Sequence, residues 1–294
     1  MPEVEIFSWN PPWPVLRVWV GWRVPWRRPL NNFGDLLGPL IVRGIMKQRG
    51  LGPAAVRPAR LLSVGSIMHF AQDGDVIWGS GVHGDIPTEQ VTARVLDIRA
   101  VRGPRTRAFL LERGIEAPEI YGDPALLLPV VMPELREEAN RKKFAVTVVP
   151  NYRDLDENPS WRLSPKILNP TAPLSRVLSR IAASELVVGS SLHGIVVAEA
   201  LGVPARLVRS GVETDFKYDD YYQGTGRPGY SPAETIREAI AAGGEPPPVF
   251  SPDTLLAAFP ADLWQPSALA PMPAVQTGHG QAVPGWGDDA RAPG

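Results

Sequence analysis

Short apolar runs that end on a glycine turn and pass into a helix recur along this chain, and this feature restricts its fold most tightly. Asp75 to Trp78 runs directly into Gly79-Ser80-Gly81, and Leu96 to Val101 delivers Arg102-Gly103-Pro104-Arg105-Thr106. Glu185 to Val188 leads into Ser190-Ser191-Leu192-His193-Gly194. Strand, glycine loop and helix in that succession are the grammar of an open parallel sheet, so the fold class is α/β. Ligands of such sheets bind beyond the carboxyl ends of the strands, where these turns lie.

Other segments extend the pattern. Val4 to Trp9 alternates as an opening strand that Asn10-Pro11-Pro12 ends, and Ala59 to Val64 reads as another. Leu36 to Gln48 has helical spacing, with Asp35 placed to cap it and Gly50 to end it. Pro104 suits the first turn of a helix running on to Arg113. Phe144 to Val149 and Ala205 to Val208 read as strands; Leu174 to Ser184, Ser191 to Leu201, Ala233 to Ala242 and Thr254 to Ala258 read as helices. Asn151 to Pro170 is polar and proline-punctuated, the signature of a long loop, and such loops are often functional.

A chain of 294 residues is about twice the usual domain size, which predicts two lobes. The charged stretch from Pro133 to Lys143 reads as the inter-lobe connection or a surface helix; as the connection it predicts a first Rossmann-like lobe over residues 1–132 and a second over 133–265. Residues 266–294 are rich in proline, glycine and alanine without periodicity, and are expected to be a disordered tail.

Charge and composition exclude several classes. The net charge is −1 and no Lys/Arg-rich run occurs, so nucleic acid is not an expected partner. The chain has no cysteine, which removes disulfides, thiolate nucleophiles and zinc sites of the Cys type. Met1 to Trp9 lacks a basic start and apolar core, and no apolar run is long enough to span a bilayer, so a soluble cytoplasmic protein is expected. Trp13, Trp19, Trp22 and Trp26 interleave with Arg17, Arg23, Arg27 and Arg28. Two readings stand: an interfacial or sugar-stacking element, or a loop whose tryptophans cover the first lobe. Pro14 and Pro25 leave little room for a long amphipathic helix, which favours the loop.

His193 falls in the first turn of a predicted helix that Ser190 or Ser191 can cap. The free amides and the positive end of the dipole there make an anion pocket, and a phosphate bound beside the imidazole makes it a competent general acid. A lone histidine is better explained by satisfied burial, and it is the strand-to-helix position that favours function. Arg102 and Arg105 flank a strand-end turn, and paired guanidinium forks match a small, multiply charged anion; a surface ion pair would look the same. Gly79-Ser80-Gly81 with His83, and Asn32 with Asp35, are weak signals alone. Lys217 with Tyr218, Tyr221 and Tyr222 suits an anion and a sugar face, although a half-buried strand edge has the same composition.

In order, Asn32-Phe33-Gly34-Asp35, Trp78-Gly79-Ser80-Gly81, Arg102-Gly103-Pro104, Tyr121-Gly122-Asp123-Pro124, Ser191-Leu192-His193-Gly194 and Lys217-Tyr218-Asp219-Asp220-Tyr221-Tyr222 resemble the polysaccharide pyruvyl transferase family. The resemblance covers residues 31–225; Asn10 to Leu30 and the tail fall outside it. It implies two Rossmann-like lobes facing across a cleft, a GT-B-like architecture. It also implies transfer of the pyruvyl group of phosphoenolpyruvate to two hydroxyls of a sugar or lipid-linked oligosaccharide, without cofactor or metal. His193 and Arg102 are then catalytic. Arg105, Ser190, Ser191 and Lys217 bind the donor, and Asn32, Asp35, Gly81 and His83 the acceptor. A lipid-linked acceptor would give the Trp/Arg stretch a purpose, as peripheral contact with the inner membrane face. The competing readings are a nucleotide-sugar glycosyltransferase of the same fold and a non-catalytic glycan-binding protein.

Overall fold

The computed structural model describes residues 2–14 and 27–266. Strand β1 (Val4–Phe7) is followed by β2 (Pro12–Pro14), β3 (Arg27–Pro29), helix α1 (Phe33–Gln48) and strands β4 (Leu51–Ala55), β5 (Ala59–Leu62), β6 (Val76–Trp78) and β7 (Asp97–Ala100). Helices α2 (Pro104–Leu111), α3 (Leu128–Val131) and α4 (Glu134–Ala139) lead to β8 (Phe144–Val148), α5 (Tyr152–Glu157), α6 (Leu174–Ala182), β9 (Ser184–Gly189) and α7 (Leu192–Ala200). Strand β10 (Ala205–Leu207), helices α8 (Phe216–Gly224), α9 (Ile236–Ala242) and α10 (Pro252–Ala257), and β11 (Trp264–Pro266) complete the order.

The expected α/β class is present as two parallel sheets, one ordered β1-β5-β6-β7 and one β10-β9-β8. Strand alternation covers both faces of each. Leu61, Val76 and Trp78 enter one core while Leu62 and Ile77 enter another, and Val187 and Val188 divide in the same way. Helix α1 buries Phe33, Leu37, Ile41 and Ile45, an i, i+4 stripe, against Leu61 and Trp78. That core continues without a break into Val187, Leu192 and Ile195, so the two sheets share one apolar interior. Truncating Leu37 to Ala there would cost about 2–5 kcal/mol.

Several expectations change on contact with the structure. Helix α1 begins at Phe33, with Asn32 at the cap position and Asp35 inside the first turn, so Asp35 is not the cap. The predicted loop from Asn151 to Pro170 contains α5 and a 3-10 turn at Pro159–Leu163. The segment from Phe216 is a helix, not a strand edge, and its Tyr218, Tyr221 and Tyr222 are buried. The second lobe was expected to end at 265, but residues 252–266 lie on the first half. There β11 pairs antiparallel with β4, Trp78 Nε1 donates to the Leu255 carbonyl at 3.0 Å, and Arg99 meets Asp262 at 2.8 Å. Sequence periodicity carries no record of which distant edge a strand will complete. The Trp/Arg stretch falls mostly outside the described residues, as do Trp19, Trp22, Trp26, Arg17 and Arg23, and the tail beyond Pro266 lies outside them too. Among the described residues no helix is long and apolar enough to cross a membrane.

Candidate active site

Two helix N-termini converge on one place. Ser191 caps α7, its Oγ accepting from Gly194 N at 3.2 Å, and His193 follows in the first turn. Asn32 and Asp35 open α1. The helices meet this closely because position 34 is glycine: a Cβ there would lie 2.3 Å from His193 Nδ1. A cavity of about 380 Å³ opens beside this junction, and Asn32, Asp35, His83, Ser191, His193 and Lys217 all line it. These sequence-chosen residues come from both halves of the chain.

His193 is backed by a second acid. Its Nε2 lies 3.5 Å from Oδ2 of Asp123, whose side chain is wholly closed from solvent and whose Oδ1 accepts from Ala125 N at 2.9 Å. The Nε2 atom is buried without a hydrogen-bond partner, and Nδ1 faces Gly34. Asp35 Oδ2 accepts from Asn32 Nδ2 at 2.7 Å. Burial pushes the Asp35 carboxyl from its ordinary 3.8 up to about 6, against the opposing pull of the Asn32 hydrogen bond, His193 and Lys217.

The opposite wall is a charge cluster around Glu213. Lys217 Nζ donates to its Oε2 at 2.6 Å and Asn151 Nδ2 to its Oε1 at 3.0 Å. Burial lowers the Lys217 pKa, with Glu213 opposing. His83 stands between Asp85 Oδ2, 3.4 Å from Nδ1, and Glu213 Oε2, 3.6 Å from Nε2, and burial lowers its pKa as well. Burial, then repulsion from His83, lowers His69 to about 4. His83, Asp85 and Glu213 hold ligand atoms within 4.8 Å of one another, but the Lys217 ammonium already occupies the Glu213 oxygen that a cation would use.

Four predicted site residues lie elsewhere. Arg102 is wholly buried and does not line the cavity. Its Nε donates to Asp220 Oδ2 at 2.9 Å, Nη1 to Ser66 Oγ at 2.5 Å and Nη2 to the Val82 carbonyl at 2.8 Å, leaving no fork free for an anion. Arg105 is paired with Asp219 at 2.9 Å. The Arg-Gly-Pro turn is thus a joint between α2 and α8, tight enough that a Cβ on Gly103 would lie 1.9 Å from the Asp220 carbonyl. Gly81 serves the same joint, since a Cβ there would meet the Arg102 guanidinium at 2.4 Å. Ser190 turns away from the cavity, donating to buried Asp154 and accepting from Asn151 N.

Sequence reasoning missed Trp9, His69, Asn151, Tyr152, Arg153 and Glu213 on the cavity wall. Asn151 and Arg153 follow β8 directly, a strand-end position that could have flagged them; Glu213 carries no motif. The Trp9 and Tyr152 rings stand 6.2 Å apart, a pair of apolar faces from opposite halves of the chain. Asp123 lay within a quoted motif but without a role.

Comparison with known proteins adds a separate line of evidence. Residues 67–211 match the family described as polysaccharide pyruvyl transferase. The chain is also similar to the succinoglycan biosynthesis protein ExoV of Rhizobium meliloti (strain 1021), 30% identical over 237 residues that cover 74% of this chain and 70% of that protein.

Proposed function

This chain belongs to the polysaccharide pyruvyl transferase family, and on that premise we propose that it moves the pyruvyl group of phosphoenolpyruvate onto two hydroxyls of a sugar. The product is a cyclic ketal and the leaving group is phosphate. The observation that carries this reading is the meeting of His193 and Lys217 in one cavity at the N-termini of two helices. An enol ester with a carboxylate and a phosphate needs cationic contacts and a proton carrier, and this cavity has both.

Lys217, assigned to the donor from sequence, lines the cavity together with Arg153, which takes the place expected for Arg102 and Arg105. The amides at the start of α7 favour the phosphate. His193, backed by Asp123, takes the proton of an attacking hydroxyl and returns one to the departing phosphate. Trp9 and Tyr152 suit a pyranose face, with Asn32 and His83 as polar contacts for the acceptor. The acceptor is a sugar of a polysaccharide or of its lipid-linked precursor. The reaction calls for no cofactor beyond the enolpyruvate and belongs in the cytoplasm, where that compound is made. Two parallel sheets with a cavity at their carboxyl edges fit a GT-B-like arrangement.

Thermal protection tests the donor. Phosphoenolpyruvate should raise the melting temperature of the wild-type protein, and a panel of nucleotide sugars should not. The reverse pattern would favour a glycosyltransferase.

A further inference from the structure

The proposed reaction asks for several proton transfers: a methylene carbon gains one, two hydroxyls each lose one and the phosphate gains one. A separate acid for the first of these leaves His193 free to serve the hydroxyl and the phosphate. We infer that Asp35 is a second catalytic group, the acid that protonates the methylene carbon of the enolpyruvate. This rests on the transferase reading and goes beyond it, since the sequence suggested only acceptor binding for Asp35.

Placement carries the inference. Asp35 lies one residue from Gly34, the contact point for His193, so its carboxyl and the imidazole line the same cavity from two helices. Oδ2 is held by Asn32 Nδ2 at 2.7 Å. Among the described residues Oδ1 has no hydrogen-bond partner and no Lys, Arg or His nitrogen lies within 4.0 Å of the carboxyl, so one oxygen is fixed and the other free. Of the other acids around the site, Glu213 is paired with Lys217 and Asp220 with Arg102, and Asp123, whose Oδ1 accepts from Ala125 N, does not line the cavity. The groups facing Asp35 are Asn32 from its own helix, His193 from α7, Lys217 from α8, and Glu213 before α8. Burial outweighs them and raises the carboxyl to about 6, within reach of a neutral acid at working pH. A bound carboxylate and phosphate push in the same direction.

The cycle balances. Asp35 gives its proton to the methylene carbon, leaving a cationic C2. The first sugar hydroxyl adds to C2 and its proton passes to His193. The bond between C2 and the phosphate oxygen breaks, and the phosphate leaves with the proton from His193. The second hydroxyl adds to the regenerated cationic C2, and its proton passes to the Asp35 carboxylate, which restores the acid.

The test is steady-state kinetics of Asp35→Asn and Asp35→Glu beside wild type, with phosphoenolpyruvate and an acceptor glycoside that wild type turns over. Asp35→Asn should lower kcat at least about 100-fold while the KM for phosphoenolpyruvate stays within about threefold, and Asp35→Glu should recover part of the rate. In wild type, kcat/KM should fall as pH rises through about 6, a limb absent from the residual activity of Asp35→Asn. Turnover of Asp35→Asn within threefold of wild type, or a loss confined to KM, overturns the role of Asp35 and leaves the transferase reading standing. If the variant does not fold, a wild-type profile flat between about pH 5 and 7 overturns it. Wild-type protein that releases no phosphate with any glycoside overturns both.

Discussion

Gly34 lies against the imidazole of His193, so closely that a Cβ at 34 would come 2.3 Å from Nδ1 and 2.9 Å from Cγ. Helix propensity alone would reward alanine at this position by about 1 kcal/mol. The contact predicts the opposite for function. Gly34→Ala should displace the ring and lower kcat at least about 10-fold, the usual penalty for a misplaced reacting group, while the protein stays folded by circular dichroism. Unchanged turnover would show that the ring's position is not critical.

Arg102 and Asp220 form an ion pair with both side chains fully closed from solvent, linking the start of α2 to α8. Asp220 also accepts from Thr106 N at 2.9 Å and Thr106 Oγ1 at 2.7 Å. Removing one partner strands the other charge, so Arg102→Met should cost about 3–5 kcal/mol of stability. Chemical denaturation checks this. A variant that keeps full stability and loses only turnover would return Arg102 to a catalytic role.

Two cavity residues titrate with opposite effects on stability. The folded-state pKa of Asp35 is raised from 3.8 to about 6, so its contribution is fully present below 3.8 and is lost as pH rises through about 6. The folded-state pKa of His69 is lowered from 6.5 to about 4, so its contribution is present above 6.5 and is lost as pH falls through about 4. Asp35→Asn should therefore raise stability at pH 7.5, by about 3 kcal/mol as an order of magnitude, and His69→Gln should flatten the decline between about pH 6.5 and 4. Melting temperatures across that range check both signs.

Trp9 and Tyr152 stand on the cavity wall with rings 6.2 Å apart, one from each half of the chain. If they receive the acceptor, Trp9→Ala should raise the KM for the glycoside at least about 10-fold, the loss of roughly 1.4 kcal/mol of binding, and leave the KM for phosphoenolpyruvate unchanged. A shift in the donor KM instead would place the donor at this wall.

What the sequence made legible was local. Strand ends and glycine turns follow from apolar runs and breakers, so the parallel sheets and the start of α7 could be read directly. His193, Lys217, Asn32, Asp35, His83 and Ser191 were all picked out as site residues, and the fold brings them to one cavity. The burial of Arg102 is not legible in the sequence because its partner, Asp220, is 118 residues away and nothing at a strand-end turn tells a buried guanidinium from a free one. Glu213 was missed for a related reason. Its role depends on Lys217, Asn151 and His83, contacts that exist only once α8 and β8 are side by side. The long-loop reading hid Arg153, since the six-residue helix α5 is too short for its periodicity to register.

Pyruvyl transfer itself is measured by incubating the protein with phosphoenolpyruvate and a panel of glycosides, following inorganic phosphate and the mass of each sugar. Phosphate release should be matched one for one by the mass gain of a pyruvyl ketal on at least one glycoside, both abolished in His193→Ala. Phosphate release with no gain in sugar mass, or an equal yield from His193→Ala, would contradict it.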